Sequence, residues 1–411
     1  MALRAGRDRT ALYAVNFFMA DMSAGMGPFL GVLLQSRGWS TGAIGAVITL
    51  GAIVGMVAVA PAGAFVDATT RKRACVIAVA VCTVTASALI LSSRQFWVVA
   101  AAQAAMCIAG ATIAPALIGI TLGVVGQAGF TGQNGRNQAS NHAGNMAGAA
   151  LSGLLGWQFG YPAVFWLAAA FAVITIGCVL AIPAGHIDHR VARGAARGPD
   201  QVAVKASRVL LRSRPLLAVA ATMVLFWLGN AAMLPLYGMA VVAAHANPFT
   251  TVAATVVIAE AVMIPAALVA TRVAQVRGYW LAILIALVTL PIRGLLAAGV
   301  ITTWGVIPVE ILDGIGGGIL SVAVPGLVAR ILDGTGHINV GQGAIMSAQG
   351  LGGALSPVLG GFIAQVFGFP AAFIALGALS VGALLIWVRF APILRRAGNP
   401  AATAAARAET G

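Results

Sequence analysis

The chain has 411 residues, 60% of them apolar and only 8% charged, with a mean hydropathy of +0.97 and a formal net charge of +14. That composition excludes a large soluble core and reads as an integral membrane protein. The cations fall between apolar runs and form no continuous basic face, so the charge marks membrane topology and nucleic acid is not expected as a partner.

A membrane-spanning helix needs about 20 mostly apolar residues. Twelve such runs are present, at roughly 10–34, 41–64, 74–93, 96–125, 137–158, 161–183, 215–243, 249–271, 278–299, 302–330, 340–366 and 369–391. Their length, without the ten-residue alternation of a barrel, predicts helices, and the fold class is an all-α membrane protein with 12 transmembrane helices. Arg4, Arg7 and Arg9 precede a first run too long for a cleaved signal, so span 1 is expected to stay as an anchor.

After span 2 comes Pro61-Ala-Gly63-Ala-Phe-Val-Asp67-Ala-Thr-Thr70-Arg71-Lys72-Arg73, a small-residue turn closed by a carboxylate and three cations. A degenerate copy starts 204 positions later, at Pro265 and running to Arg277. Met26-Gly27-Pro28 answers Met233-Leu234-Pro235 at an offset of 207, and Ala150-Leu151-Ser152 answers Ala354-Leu355-Ser356 at 204. Phe159–Phe165 answers Phe367–Phe373 at 208, which predicts about four residues gained before span 12. The chain therefore reads as two homologous halves, and parallel repeats of this kind mark transporters. The expected domains are an N-terminal six-helix bundle over 1–184, a basic linker over 185–214, a C-terminal six-helix bundle over 215–391 and a tail over 392–411.

With both termini inside, 21 of the 24 Lys and Arg residues lie in cytoplasmic segments; only Arg37 and Arg94 fall outside, and Arg293 lies within a span. The expected location is the inner or plasma membrane. Trp39, Trp97, Trp157, Trp280 and Trp304 fall near expected outer ends, whereas Trp166 and Trp227 lie deeper and are expected to pack. In the linker, residues 201–213 are expected to form a basic amphipathic helix on the inner leaflet. His186 and His189 lack further ligands there, so no metal is expected. Cys75, Cys82, Cys107 and Cys178 read as buried packing thiols, and the tail reads as unstructured.

Twelve spans in two six-helix halves, a basic central loop and the pattern Gly63-x3-Asp67-x3-Arg71-Lys72 after span 2 resemble the major facilitator superfamily over residues 10–391. Thr70 stands where the family's motif has a second glycine. The resemblance implies alternating access between two bundles, with spans 1, 8 and 10 among those lining a central cavity. Asp67 would then act in a latch, with Arg71, the start of span 11 near Asn339–Gln342, or Arg136 before span 5 as its partner. The alternative is that Arg71, Lys72 and Arg73 only fix topology.

Carboxyls inside a membrane are costly and point to function. Asp21 lies midway along span 1, Glu260 at the centre of span 8, and Glu310 and Asp313 one turn apart on span 10. Each either titrates in the service of proton coupling or fastens helices together. Arg293 and Glu310 both lie about 12–13 Å below the turn joining spans 9 and 10, at about 1.5 Å per residue. They can pair, leaving Asp313 the freer carboxyl, or Arg293 can snorkel outward.

Span 5 carries Gln138, Asn141, His142 and Asn145 at helical spacing, and span 11 repeats the stripe with Gln342 and Gln349 at the 204 offset. Cavity lining and interhelical bonding both fit these residues, as they fit Asn16 and Asn230 on spans 1 and 7. Glycines are dense in the same two spans: Gly144, Gly148, Gly153 and Gly156, then Gly350, Gly352, Gly353, Gly360 and Gly361. Gly148-Ala149-Ala-Leu-Ser152-Gly153 keeps the spacing of the exporters' motif in the superfamily but not its proline. No arginine appears around Gln103–Gly110 in span 4, where many proton-coupled members carry one, so coupling would rest on carboxylates.

These observations predict a monomeric secondary transporter that moves a small neutral or cationic organic molecule, with protons as coupling ion and export ahead of uptake. A membrane sensor with the same fold is the competing class. No catalytic site, cofactor or nucleotide-binding loop is expected.

Overall fold

The structure, a computed structural model, describes residues 2–24, 27–188, 213–332 and 338–398. The helix expected over 201–213, His189 and the end of the tail lie outside the described residues.

All regular structure among those residues is helical. In chain order the helices are α1 (Ala2–Ala24), α2 (Gly27–Ser36), α3 (Thr41–Ala68), α4 (Lys72–Ser92), α5 (Phe96–Phe159) and α6 (Tyr161–Leu180). There follow α7 (Arg214–Asn230), α8 (Met233–Ala243), α9 (Pro248–Arg277), α10 (Tyr279–Gly299), α11 (Val306–Ile331), α12 (Ile338–Phe367), α13 (Phe369–Arg389) and α14 (Ala391–Gly398). Ten segments of the described chain are long and apolar enough to cross a membrane. Spans 1 and 5 fall outside that set, and in span 5 the cause is its amide-rich face.

Three departures from the sequence expectation have local causes. Span 7 is two pieces, α7 and α8. Pro235 sits near the start of the second, where a missing N–H cannot continue the preceding helix. The inner loop expected before span 5 is helical, and a single left-handed residue, Gly126 (φ 69°, ψ 173°), divides α5 into 96–125 and 127–159. Only glycine adopts that conformation at little cost. Part of the tail expected to be unstructured forms α14, which buries Leu394 completely and exposes Arg395 and Arg396.

The chain divides into two compact units. One comprises Met1–Trp39, Val47–Gln201 and Asn247–Val257; the other comprises Ser40–Ala46, Val202–Ala246 and Ile258–Gly411. In the first, Leu12, Met19, Val76, Ile120 and Val179 form an apolar core. Cations close several helix ends there. Arg37 donates to the carbonyls of Ile90, at 2.6 Å, and Ser93, at 2.8 Å, at the end of α4. Arg73 reaches Ile182 O beyond α6 at 2.6 Å. Such side chains satisfy carbonyls that have no partner within the helix.

Glycines set the closest helix approaches, and they do so in pairs. In the first unit a Cβ on Gly144 of α5 would lie 2.1 Å from Phe17 O of α1. In the second, a Cβ on Gly352 of α12 would lie 2.2 Å from Val224 O of α7. Gly153 meets Phe249 and Ala253 of α9 in the first unit, and Gly361 meets Thr41 and Gly45 of α3 in the second. Gly352 and Gly361 each lie 208 positions after their counterpart, so the register between spans 5 and 11 is 208 and not 204. The four added residues therefore enter before span 11, one span earlier than the sequence echoes implied. Gln349 consequently matches Asn141, not Asn145.

Tryptophan positions also differ. Trp166 is 69% exposed and faces outward rather than packing. Trp280 lies beneath Arg395 of α14, 3.8 Å from its guanidinium, and accepts a hydrogen bond at its carbonyl from Trp387. It therefore belongs to the end at which α13 leaves the unit, one length of α10 away from Trp304.

Adding a methyl group at these crossings should be costly. Gly144→Ala and Gly352→Ala are each expected to destabilise the purified protein by about 1–3 kcal/mol. Gly110→Ala, where nothing lies within 4 Å, should be neutral or stabilising. Thermal unfolding in detergent measures all three.

Candidate functional site

Among the described residues, the most highly charged buried site lies within the second unit, where three helices bring four side chains together. Arg293 stands in the second half of α10, and Glu310 and Asp313 lie three residues apart on one face of α11. Asn230 is the last residue of α7, beside the break that precedes α8. Arg293 donates through Nη2 to Glu310 Oε2 at 3.0 Å and through Nη1 to Asp313 Oδ1 at 2.6 Å. Nη1 also donates to Asn230 Oδ1 at 3.0 Å. The side chains of Arg293 and Glu310 are 1% and 0% exposed, and that of Asp313 is 16% exposed.

Local sequence explains the convergence. The break between α7 and α8 frees Ala232 N, which donates to Ser356 Oγ at 2.9 Å. Gly294, beside Arg293, lets α13 approach, since a Cβ there would lie 2.8 Å from Phe373 O. Gly314, beside Asp313, does the same for α9, where a Cβ would lie 2.6 Å from Ala259 O. Glu260 follows Ala259 directly and is half-buried.

Of the two alternatives for Arg293 the geometry has the pairing with Glu310, not the outward snorkel: Arg293 turns into the unit, where two carboxylates and an amide lie at matching depth. One expectation is corrected, since Asp313 is not left unpaired but shares the same guanidinium. Among the described residues, Glu310 Oε1 and Arg293 Nε are buried without a hydrogen-bonding partner.

The first unit holds an amide-rich set between α1 and α5. Asn16 is buried and donates to Leu12 O at 2.8 Å, and Asn141 reaches Asn16 O at 3.4 Å. The matching contact in the second unit joins Gln349 Nε2 to Met223 Sδ at 3.7 Å. Ser140 donates to Tyr13 O at 2.9 Å, and Gln133, Asn137 and Thr121 form a buried chain with links of 3.0 Å. Sequence reasoning missed Gln133 and Asn137. Their i, i+4 spacing with Asn141 and Asn145 was the available signal. His142 and Asn145 are half-buried on the same helix.

The segment after span 2 divides its cations between roles. Lys72 is 1% exposed, and its Nζ donates to Val66 O at 2.5 Å and Thr69 O at 3.4 Å, closing the end of α3. Arg71 is exposed, and Gly63 has open space around it. Arg136 is exposed, and its Nη1 donates to Tyr13 Oη at 3.4 Å, a bond that raises its pKa. Asp67 and Asp21 lie on α3 and α1, but their side chains are outside the described residues.

Comparison with known proteins gives one answer. The family model of the Major Facilitator Superfamily matches residues 12–339. The uncharacterized MFS-type transporters MT2531 and Rv2456c, from two strains of Mycobacterium tuberculosis, are each 38% identical over 382 residues, covering 92% of this chain and 91% of theirs. Among solved structures, the nucleoside transporter NupG has a TM-score of 0.76 at 13% identity, covering 94% of this chain and 98% of its own. A bacterial homologue of the human lysosomal transporter Spinster has a TM-score of 0.68 at 12% identity, with coverage of 96% and 97%. The two solved structures establish the fold, and the family match and the two relatives establish membership: the chain belongs to the major facilitator superfamily and is a transporter of that family.

Proposed function

We propose that the protein exchanges a small neutral or cationic organic solute for protons, with the Arg293–Glu310–Asp313 cluster as the coupling site. The observation that carries this reading is a charge count. One guanidinium faces two carboxylates, and Glu310 is fully buried. With both acids ionised the cluster holds one uncompensated negative charge, at a cost of several kcal/mol. A single proton shared by the pair removes that charge, and Asp313, with the more open side chain, is the route by which it enters and leaves.

The same contacts speak to the solute. Both terminal nitrogens of Arg293 are engaged, so this guanidinium is not available to bind a phosphate or carboxylate substrate. Nucleosides, the solutes for which the transporter NupG is named, are neutral molecules of that size. Asp21, Glu260, Asn16, Asn230, His142, Asn145 and Gln349 are proposed to act in the solute pathway, and Gly63, Asp67, Arg71, Lys72 and Arg136 in gating. The asymmetry of Lys and Arg supports an inner or plasma membrane location with cytoplasmic termini. Uptake by symport is the second reading, favoured by the missing proline at Gly148–Gly153.

Purified protein in vesicles with an imposed pH gradient, offered a panel of neutral and cationic compounds, is expected to accumulate or expel at least one of them against its gradient. Asp313→Asn should lower gradient-driven flux by about tenfold or more, since the proton can no longer be exchanged there. Full gradient-driven flux in Asp313→Asn, Asp21→Asn and Glu260→Gln alike would remove the coupling assignment. Arg293→Met is expected to cost about 3–5 kcal/mol by leaving two buried acids unpaired. Adding Glu310→Gln should recover more than half of that loss in thermal midpoint.

A further inference from the structure

We propose a binding site for one anionic phospholipid on the second unit, in the groove between the start of α7 and the end of α13. The groove has a volume of about 680 Å³ and places Arg214 and Arg389 at its walls. Leu217 and Ala221 on α7, with Ile386 on α13, continue it inward as an apolar channel, and Phe390 lies at the mouth. Small side chains at Ala218 and Ala221 leave the room.

Charge and position identify the occupant. Arg214 and Arg389 are exposed, and neither forms an ion pair among the described residues. No Asp or Glu occurs in residues 213–222 or 384–393. The N-cap of α7, Ser213, makes no side-chain cap, and Arg214 opens that helix, so the positive end of α7 adds to the charge of the arginine there. Among the described residues, neither arginine is neutralised by an acidic side chain.

The level of the mouth is that of a membrane interface. Just beyond it α14 lies with Leu394 buried and Arg395 stacked on Trp280, the arrangement of an amphipathic segment at a headgroup boundary. Below the mouth every named lining side chain is apolar, which suits an acyl chain and not a free anion. A basic pocket opening from an apolar groove between spans matches an anionic headgroup with its tail attached.

The test uses the full chain purified in detergent, with bound lipid read by native mass spectrometry and stability by thermal midpoint. Phosphatidylglycerol should bind and raise the midpoint, whereas phosphatidylcholine and inorganic phosphate should not. Arg214→Ala and Arg389→Ala should each weaken phosphatidylglycerol binding by about fivefold, and Arg277→Ala should leave it unchanged. Ala221→Leu, which fills the channel and keeps both arginines, should weaken binding as well and so covers the case in which an arginine variant fails to fold. Equal binding of phosphatidylcholine, an equal effect of inorganic phosphate alone, or undiminished binding in Arg214→Ala/Arg389→Ala and Ala221→Leu would each overturn the site.

Discussion

The hydrocarbon of a bilayer offers no water to a buried charge, so a guanidinium inside it must find its partners within the protein. The second unit is built around meeting that demand at Arg293. Two carboxylates come from one face of α11 and an amide from the end of α7. The break between α7 and α8 places Asn230, and Gly294 and Gly314 bring neighbouring helices close on either side. Removing any of these would leave a charged or polar atom without compensation in a medium that cannot supply it. The cluster is thus a structural knot, and it is where the proposed proton would change a buried charge.

The two halves share a scaffold and differ in chemistry. The contacts of Gly144 with Phe17 and of Gly352 with Val224 are the same crossing built twice, as are those of Gly153 and Gly361. Within that common frame the first unit holds neutral amides and hydroxyls, linked from Gln133 to Thr121 and from Asn141 to Asn16. Amides hold a fixed pattern of donors and acceptors, whereas carboxyls can change charge. Within the shared frame, the crossing helices of the second half thus carry a buried ionic cluster where those of the first carry amides and hydroxyls.

Much of the fold was legible in the sequence because a membrane forces it into view. Long apolar runs, cation placement and four collinear echoes were enough for the family and the helix count. Arg293 and Glu310 were matched in depth by counting residues from a turn, and they do meet. Depth says nothing of rotation about the helix axis, which is why Asp313 and Asn230 were not assigned to the same guanidinium. The register of span 11 was misread by one turn because Gln349 lies on nearly the same face at either offset; only a backbone contact such as Gly352 with Val224 discriminates. In the sequence Lys72 is indistinguishable from Arg71 and Arg73 in one charge run, although its short reach to Val66 and Thr69 makes it a helix cap.

The central claim is that the carboxyl pair on α11 holds an exchangeable proton against Arg293. Infrared difference spectroscopy of the purified protein in lipid, titrated across the neutral range, measures this directly. The account predicts a protonated-carboxyl band that appears and disappears with pH and is lost or shifted in Glu310→Gln and Asp313→Asn. A spectrum with no titrating carboxyl band, or with one that both variants leave unchanged, would contradict it.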